Sequence, residues 1–138
     1  MHRLVIAPFV TALMLTACAG NAGNLEAFCD AAGEAAEAAR DIDTSASPED
    51  LRVAYEAMDV HIQEMAKTAP NEVATDMRAL DAAWDANLEA LDDVDFVLED
   101  LPEPEDPEEG DEFDTAAGAV ERFVADECED VEFDVGPR

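Results

Sequence analysis

Basic residues are scarce in this chain: seven Lys and Arg stand against 36 Asp and Glu, a formal net charge of −29 over 138 residues. Nucleic acid is held by basic patches that neutralise phosphates, so the shortage excludes phosphate-backbone binding as a default. It also sets the folded part against lying on an anionic lipid surface. Aromatics are few, with one Trp and one Tyr, and beyond His2 the sole histidine is His61. No Ser-His-Asp or Cys-His arrangement stands out and no glycine-rich phosphate loop is present, so a hydrolase is disfavoured. Carboxylates are abundant, but paired-carboxylate catalysis needs two groups whose environments push their pKa values apart. Nearly all of these acids fall on polar helix faces or in loops. The expectation is a non-enzymatic protein with no cofactor. High charge also suggests disorder, but the apolar residues recur too regularly for that to hold along the whole chain.

The chain also lacks an apolar run long enough to cross a bilayer as a lasting helix. What it has is a short basic start, Met1-His2-Arg3, followed by an uncharged apolar run over 4–16. That pattern suits the hydrophobic region of a signal peptide. The run ends in Leu15-Thr16-Ala17-Cys18-Ala19, an aliphatic residue and two small ones before Cys, as in a bacterial lipobox. Small side chains leave room at the scissile bond, and the thiol accepts the diacylglycerol. These residues predict a cleaved lipoprotein signal peptide over 1–17 and lipidation at Cys18, with palmitate-type chains holding the protein on the extracytoplasmic side of the cell membrane. The competing readings are a plain secretory signal with an incidental Cys and a retained transmembrane anchor, for which the run is short. Losing Arg3 with the leader leaves six basic residues against 36 acidic ones, a net charge of −30.

Cysteine is also rare. Once Cys18 is set aside, Cys29 and Cys128 remain. An even pair in an exported protein predicts a disulfide. Closing a loop of roughly a hundred residues contributes about 4–5 kcal/mol in the chain-entropy treatment. Two free thiols are the alternative, and a metal pair lacks further ligands.

Residues 18–24 read as a short tether of Cys, Ala, Gly and Asn. Four helical patterns follow. Over 25–40, Leu25, Phe28, Cys29, Ala32, Ala36 and Ala39 make one apolar face, with Asn24 as N-cap. After a linker, Ser47-Pro48-Glu49-Asp50 carries the signals of a helix start, and Leu51, Ala54, Tyr55, Met58, Ile62 and Met65 form a stripe ending near Thr68. A third pattern begins at Pro70 and runs through Val73, Met77, Leu80, Trp84, Leu88, Leu91 and Leu98 to about Asp100, weakening at Asp92-Asp93. Residues 101–114, rich in Pro and Glu, read as an acidic flexible loop. A short last helix over about 115–128 turns Ala117, Val120, Phe123 and Val124 inward, and 129–138 reads as a loose tail. The whole predicts an all-α domain over 25–128, a three- to four-helix bundle closed by Cys29 and Cys128.

Phe28-Cys29 soon after the lipobox, Pro70-Asn71-Glu72-Val73 with Asp76 and Leu80 opening the long helix, and Phe123-Val124 before Cys128 together resemble a group of small actinobacterial lipoproteins of uncharacterised function. One departure is Glu129, where such proteins often have Gly, and it bears on the helix-end geometry. The resemblance implies a lipid-anchored, Ala/Asp/Glu-rich helical domain with one disulfide. It implies no catalysis.

Three constellations invite a ligand. Asp41-x-Asp43-x-Ser45 starts like a calcium loop, but the sixth and twelfth positions are Ala46 and Arg52 where Gly and Glu are wanted, so a helix linker is expected. The loop around Gly110 has Pro107 in place of its third-position ligand, leaving loose divalent-cation binding by the acids of 103–114. Met58, His61 and Met65 lie within two turns and would suit copper in an exported protein. Met58 and Met65 share the stripe of Leu51 and Tyr55, so core filling is the plainer reading. Metal handling, of copper or calcium, is the alternative function. The leading one is a binding or interaction module whose charge suits a basic protein, polyamine or other cationic ligand. Acids gathered on one face would mark a partner site, whereas acids on every exposed face would mark solubility in salt; on the helical wheels the acids are spread around, which favours solubility.

Overall fold

The computed structural model describes residues 23–103 and 107–135, with the backbone alone at 107–109. The predicted signal peptide, Cys18 and residues 136–138 lie outside the described residues. Four helices run α1 Leu25–Arg40, α2 Pro48–Thr68, α3 Ala74–Asp93 and α4 Pro107–Glu127, with a single 3-10 turn at Leu98–Asp100 and no strand among the described residues. The chain is an all-α, four-helix bundle in which neighbours in sequence are antiparallel neighbours in space.

Local chemistry sets the first two helices. The Asn24 side chain accepts from the Ala27 N–H at the start of α1, and Arg40 sits in its last turn. Ser47 caps α2 by accepting from the Asp50 N–H, with Pro48 at its first position and Glu49 and Asp50 in the first turn. Phe28, Ala31, Ala32, Ala35 and Ala36 form the buried face of α1. Alanine lets α1 lie close against α2 while contributing little apolar area of its own. Larger buried side chains come from Met58, Ile62 and Met65 of α2 and Met77, Leu80 and Trp84 of α3. No charged residue is buried among the described residues.

The chain joins the bundle tightly at its N-terminal side. The Asn24 N–H donates to the Thr68 carbonyl at 2.9 Å. A Cβ at Gly23 would stand 2.0 Å from the Ala69 carbonyl oxygen, so only glycine passes there. Gly23 and Asn24, read from sequence as tether, thus belong to the fold.

The third helix is shorter than its apolar pattern. Residues 70–73 form a turn, with the Val73 N–H on the Pro70 carbonyl, and α3 proper starts at Ala74. It stops at Asp93 rather than Asp100. The Leu91 carbonyl accepts from both Val94 and Phe96 N–H groups, and Asp95 and Phe96 adopt positive φ of 50° and 59°. A bulky residue in that region is unfavourable by itself. Burial holds Phe96 there: its ring packs on Leu51 and Leu91, meets Tyr55 edge-on at 6.2 Å and lies 4.7 Å below the Arg52 guanidinium. Arg52 also pairs with Asp92 and Asp95.

Two further differences concern the C-terminal third. The expected loop over 101–114 is helical from Pro107 onward, so α4 starts eight residues before Thr115. Proline followed by acids is a loop signal, but it is also what the first turn of a helix tolerates best, because its N–H groups have no partner and favour negative charge. The expected loose tail is not loose over 129–135. After Cys128 the chain reverses at Asp130, φ 62°, and Phe133 is 6% exposed in the main core with Val131 and Val135 packed beside it. The alternation of Val131, Phe133 and Val135 gives an extended strap one apolar face. It fits because α1 and α4 touch each other little, and the Val135 N–H donates to Glu121 of α4 at 3.1 Å.

Cys29 and Cys128 are joined, with Cα atoms 5.3 Å apart across a separation of 99 residues. Phe28, next to the bridge, meets Phe123 edge-on at 5.7 Å. Reducing the bridge should lower the thermal midpoint markedly, and an unchanged melt would mean it carries no stability. Phe133→Ala should destabilise by about 3 kcal/mol, the cost of truncating a buried phenyl ring, whereas a loose tail would leave thermal unfolding followed by circular dichroism unaltered.

Candidate functional site

The ligand constellations read from sequence come apart in three dimensions. Met58 and Met65 are fully buried core residues packed among apolar neighbours. His61 points to the α1 side, with Nδ1 3.3 Å from a Glu34 carboxylate oxygen. Copper ligation by all three would require both thioethers to leave the core. In the α1–α2 linker, the Asp43 carboxylate is satisfied locally, accepting from the Ser45 N–H at 2.9 Å and the Ser45 hydroxyl at 2.6 Å. The hydroxyl bond, then the backbone bond, hold the Asp43 carboxyl below its ordinary value. This is an Asp-initiated turn joining two helices. Of the acids at 103–114, residues 104–106 lie outside the described residues, and Asp111, Glu112 and Asp114 project from α4 as exposed side chains. No group of three or more His, Cys, Asp or Glu is arranged to hold a metal among the described residues.

The unusual electrostatics lie on the seam between α2 and α3. Its interior is apolar, and there the Tyr55 ring stacks on Trp84 at 5.5 Å. Along its edge, Asp59 of α2 faces Asp81 and Asp85 of α3 closely enough for their charges to act on one another. Gln63 donates to one Asp59 oxygen at 2.7 Å. The other Asp59 oxygen, one Asp81 oxygen and the Trp84 indole N–H are shut from solvent without a hydrogen-bond partner. Burial, then the charges of Asp85 and Asp81, push Asp59 above the usual carboxylate range. Burial and Asp85 do the same to Asp81, partly opposed by Lys67. Sequence reasoning missed this trio because carboxylates are common throughout the chain and nothing local distinguishes these three.

A second feature is an open groove of about 460 Å³ between α1 and the strap, walled by Asp30, Glu34, Glu37 and Glu132 with Arg40 at one side. It offers no nucleophile: Cys29 on its lining is bonded to Cys128. Trp84 and Tyr55 are core anchors, as their place on the stripes implies.

No protein-family model, curated protein or solved structure matches this chain. Among the described residues, no helix is long and apolar enough to cross a membrane.

The seam makes a signed prediction. A carboxyl with a raised folded-state pKa holds its proton more tightly folded than unfolded, so its contribution favours folding as the pH falls toward the folded value and is lost as the pH rises through it. Asp59 and Asp81 therefore make the bundle more stable on acidification from pH 7 toward about 4, the ordinary Asp value. Asp43 has the opposite sign, below that range and fully exposed. Asp59→Asn combined with Asp81→Asn should raise the thermal midpoint at pH 7 and flatten its rise on acidification. A double variant that melts like the parent at every pH would contradict this account of the seam.

Proposed function

We propose that the chain is the precursor of an exported lipoprotein, anchored through acylated Cys18 on the extracytoplasmic side of the cell membrane. The observation that carries the reading is the sequence Leu15-Thr16-Ala17-Cys18 closing an uncharged run behind a basic start. Gly23 is pressed against Ala69. Four residues separate it from Cys18, and even fully extended the intervening chain spans no more than about 18 Å. An anchor at Cys18 would keep the bundle at the bilayer, with the turn between α2 and α3 near the lipid. Like charge would hold the acidic helix faces off anionic headgroups.

The anchored domain then acts as a non-enzymatic interaction module for a cationic partner, a basic protein or another positively charged ligand. Glu34, Glu56, Glu89 and Asp126 are exposed on α1, α2, α3 and α4 respectively. Such a surface attracts cationic partners over a distance and repels copies of itself. Acids on all four helices are the arrangement that marks solubility in salt, so charge alone singles out no face for a partner. Intact-mass analysis of the membrane-extracted protein tests the anchor. The expected product begins at Cys18 and carries a diacylglycerol, and Cys18→Ser should be unacylated and released from the membrane. Acylated Cys18→Ser, or a wild-type product that begins elsewhere, would refute the reading.

A further inference from the structure

Large apolar side chains are seldom exposed on this bundle. Among the described residues, Leu25, Val53 and Val60 are the exposed ones, and both valines are 63% accessible. Val53 and Val60 lie seven residues apart on α2, two turns along one face and about 10.5 Å from each other at the helical rise. Ala57, between them, is also exposed. The face is opposite the one that buries Leu51, Met58, Ile62 and Met65, so neither valine serves the core. Nor does helix propensity explain them: a β-branched residue is a poorer helix former than the Ala and Glu so common in this chain. The result is a narrow apolar ridge with the heptad spacing that one helix presents to another.

Glu49, Glu56 and Glu64, all exposed, flank the ridge. The basic residues of α2 leave Glu49 and Glu56 uncountered. Arg52 is turned toward α3, where it pairs with Asp92 and Asp95, and Lys67 is paired with Glu64 at the far end. A second copy of the chain would bring the same carboxylates against these. An anionic lipid surface would meet them unfavourably. We infer that the outward face of α2 is a docking ridge for a cationic amphipathic helix of a partner protein, whose apolar seam covers Val53, Ala57 and Val60 while its Lys or Arg flanks pair with Glu49 and Glu56. This deepens the interaction-module reading by naming the face and the kind of partner, and it does not depend on the lipid anchor. Apolar contact at the centre with charge pairs at the rim is the division of labour by which helix pairs select partners.

The test uses the full chain in zwitterionic phosphatidylcholine nanodiscs, with empty discs as background. The probe is a fluorescent synthetic helix bearing a leucine seam flanked by lysines, followed by anisotropy. The expected result is saturable binding that weakens at least tenfold with Val53→Ser plus Val60→Ser, at unchanged helix content and thermal midpoint. Glu49→Gln and Glu56→Gln together should weaken it and reduce its salt dependence, and a probe with glutamate in place of lysine should not bind. Binding that survives the valine substitutions overturns the ridge while leaving a cationic partner bound elsewhere on the module. Absence of binding by the lysine probe overturns the ridge too, and the mass of Cys18 in the same preparation reports on the anchor separately.

Discussion

Self-repulsion is the constraint under which this bundle folds. Acids outnumber bases about fivefold, and each helix carries exposed carboxylates that resist bringing the four together. Apolar burial must supply the cohesion, and the described interior is free of charged residues. Cohesion is unevenly spread. The contacts of α2 with α3, and of α3 with α4, rest on Met, Leu, Trp and Val side chains, whereas α1 contributes Phe28 and a face of alanines. The seam between α1 and α4 is the weak one, and three devices converge on it: the Cys29–Cys128 bridge, the Phe28–Phe123 contact and the strap carrying Phe133.

The same constraint explains why the acids at the edge of the α2–α3 seam stand out. Elsewhere carboxylates face water, where solvent screens them. Asp59 and Asp81 each leave an oxygen shut from solvent without a donor, and they share the edge with Asp85. The bundle tolerates this because Tyr55 and Trp84 stack just inside it and because Lys67 offsets part of the charge. At the far end of the same pair of helices, Arg52 takes the opposite role, joining Asp92 and Asp95 while covering Phe96.

Features written in neighbouring residues are legible in the sequence. Asn24 and Ser47-Pro48 specify helix starts through bonds within one turn, and α1 and α2 run between the limits their patterns imply. Met58 and Met65 sit in the core because the stripe they share with Leu51 faces inward. Features decided by distant partners are not legible. Leu91 and Leu98 continue a helical spacing, yet the chain reverses between them because Phe96 finds Leu51 and Arg52. Pro107 and the acids after it serve a loop or a helix start equally well. The period-two pattern of Val131, Phe133 and Val135 is visible in the sequence, but the groove that receives it is made by the first and last helices of the bundle. Among the candidate sites, the Asp59 trio is hidden by the abundance of its own residue type, and the Val53–Val60 ridge by its small size beside the long inward-facing stripe of the same helix.

The bridge has a mechanical consequence. Residues 30–127 lie inside the loop closed by Cys29 and Cys128, so tension applied between the two chain ends passes across the sulfur atoms and bypasses nearly all of the bundle. At the N-terminal end the load falls first on the Asn24–Thr68 bond and the seat of Gly23 beneath Ala69. At the other end it falls on the strap held by Phe133 and Glu121. A steady pull can peel those short segments and go no further, leaving the folded body unloaded and intact while the covalent shortcut holds.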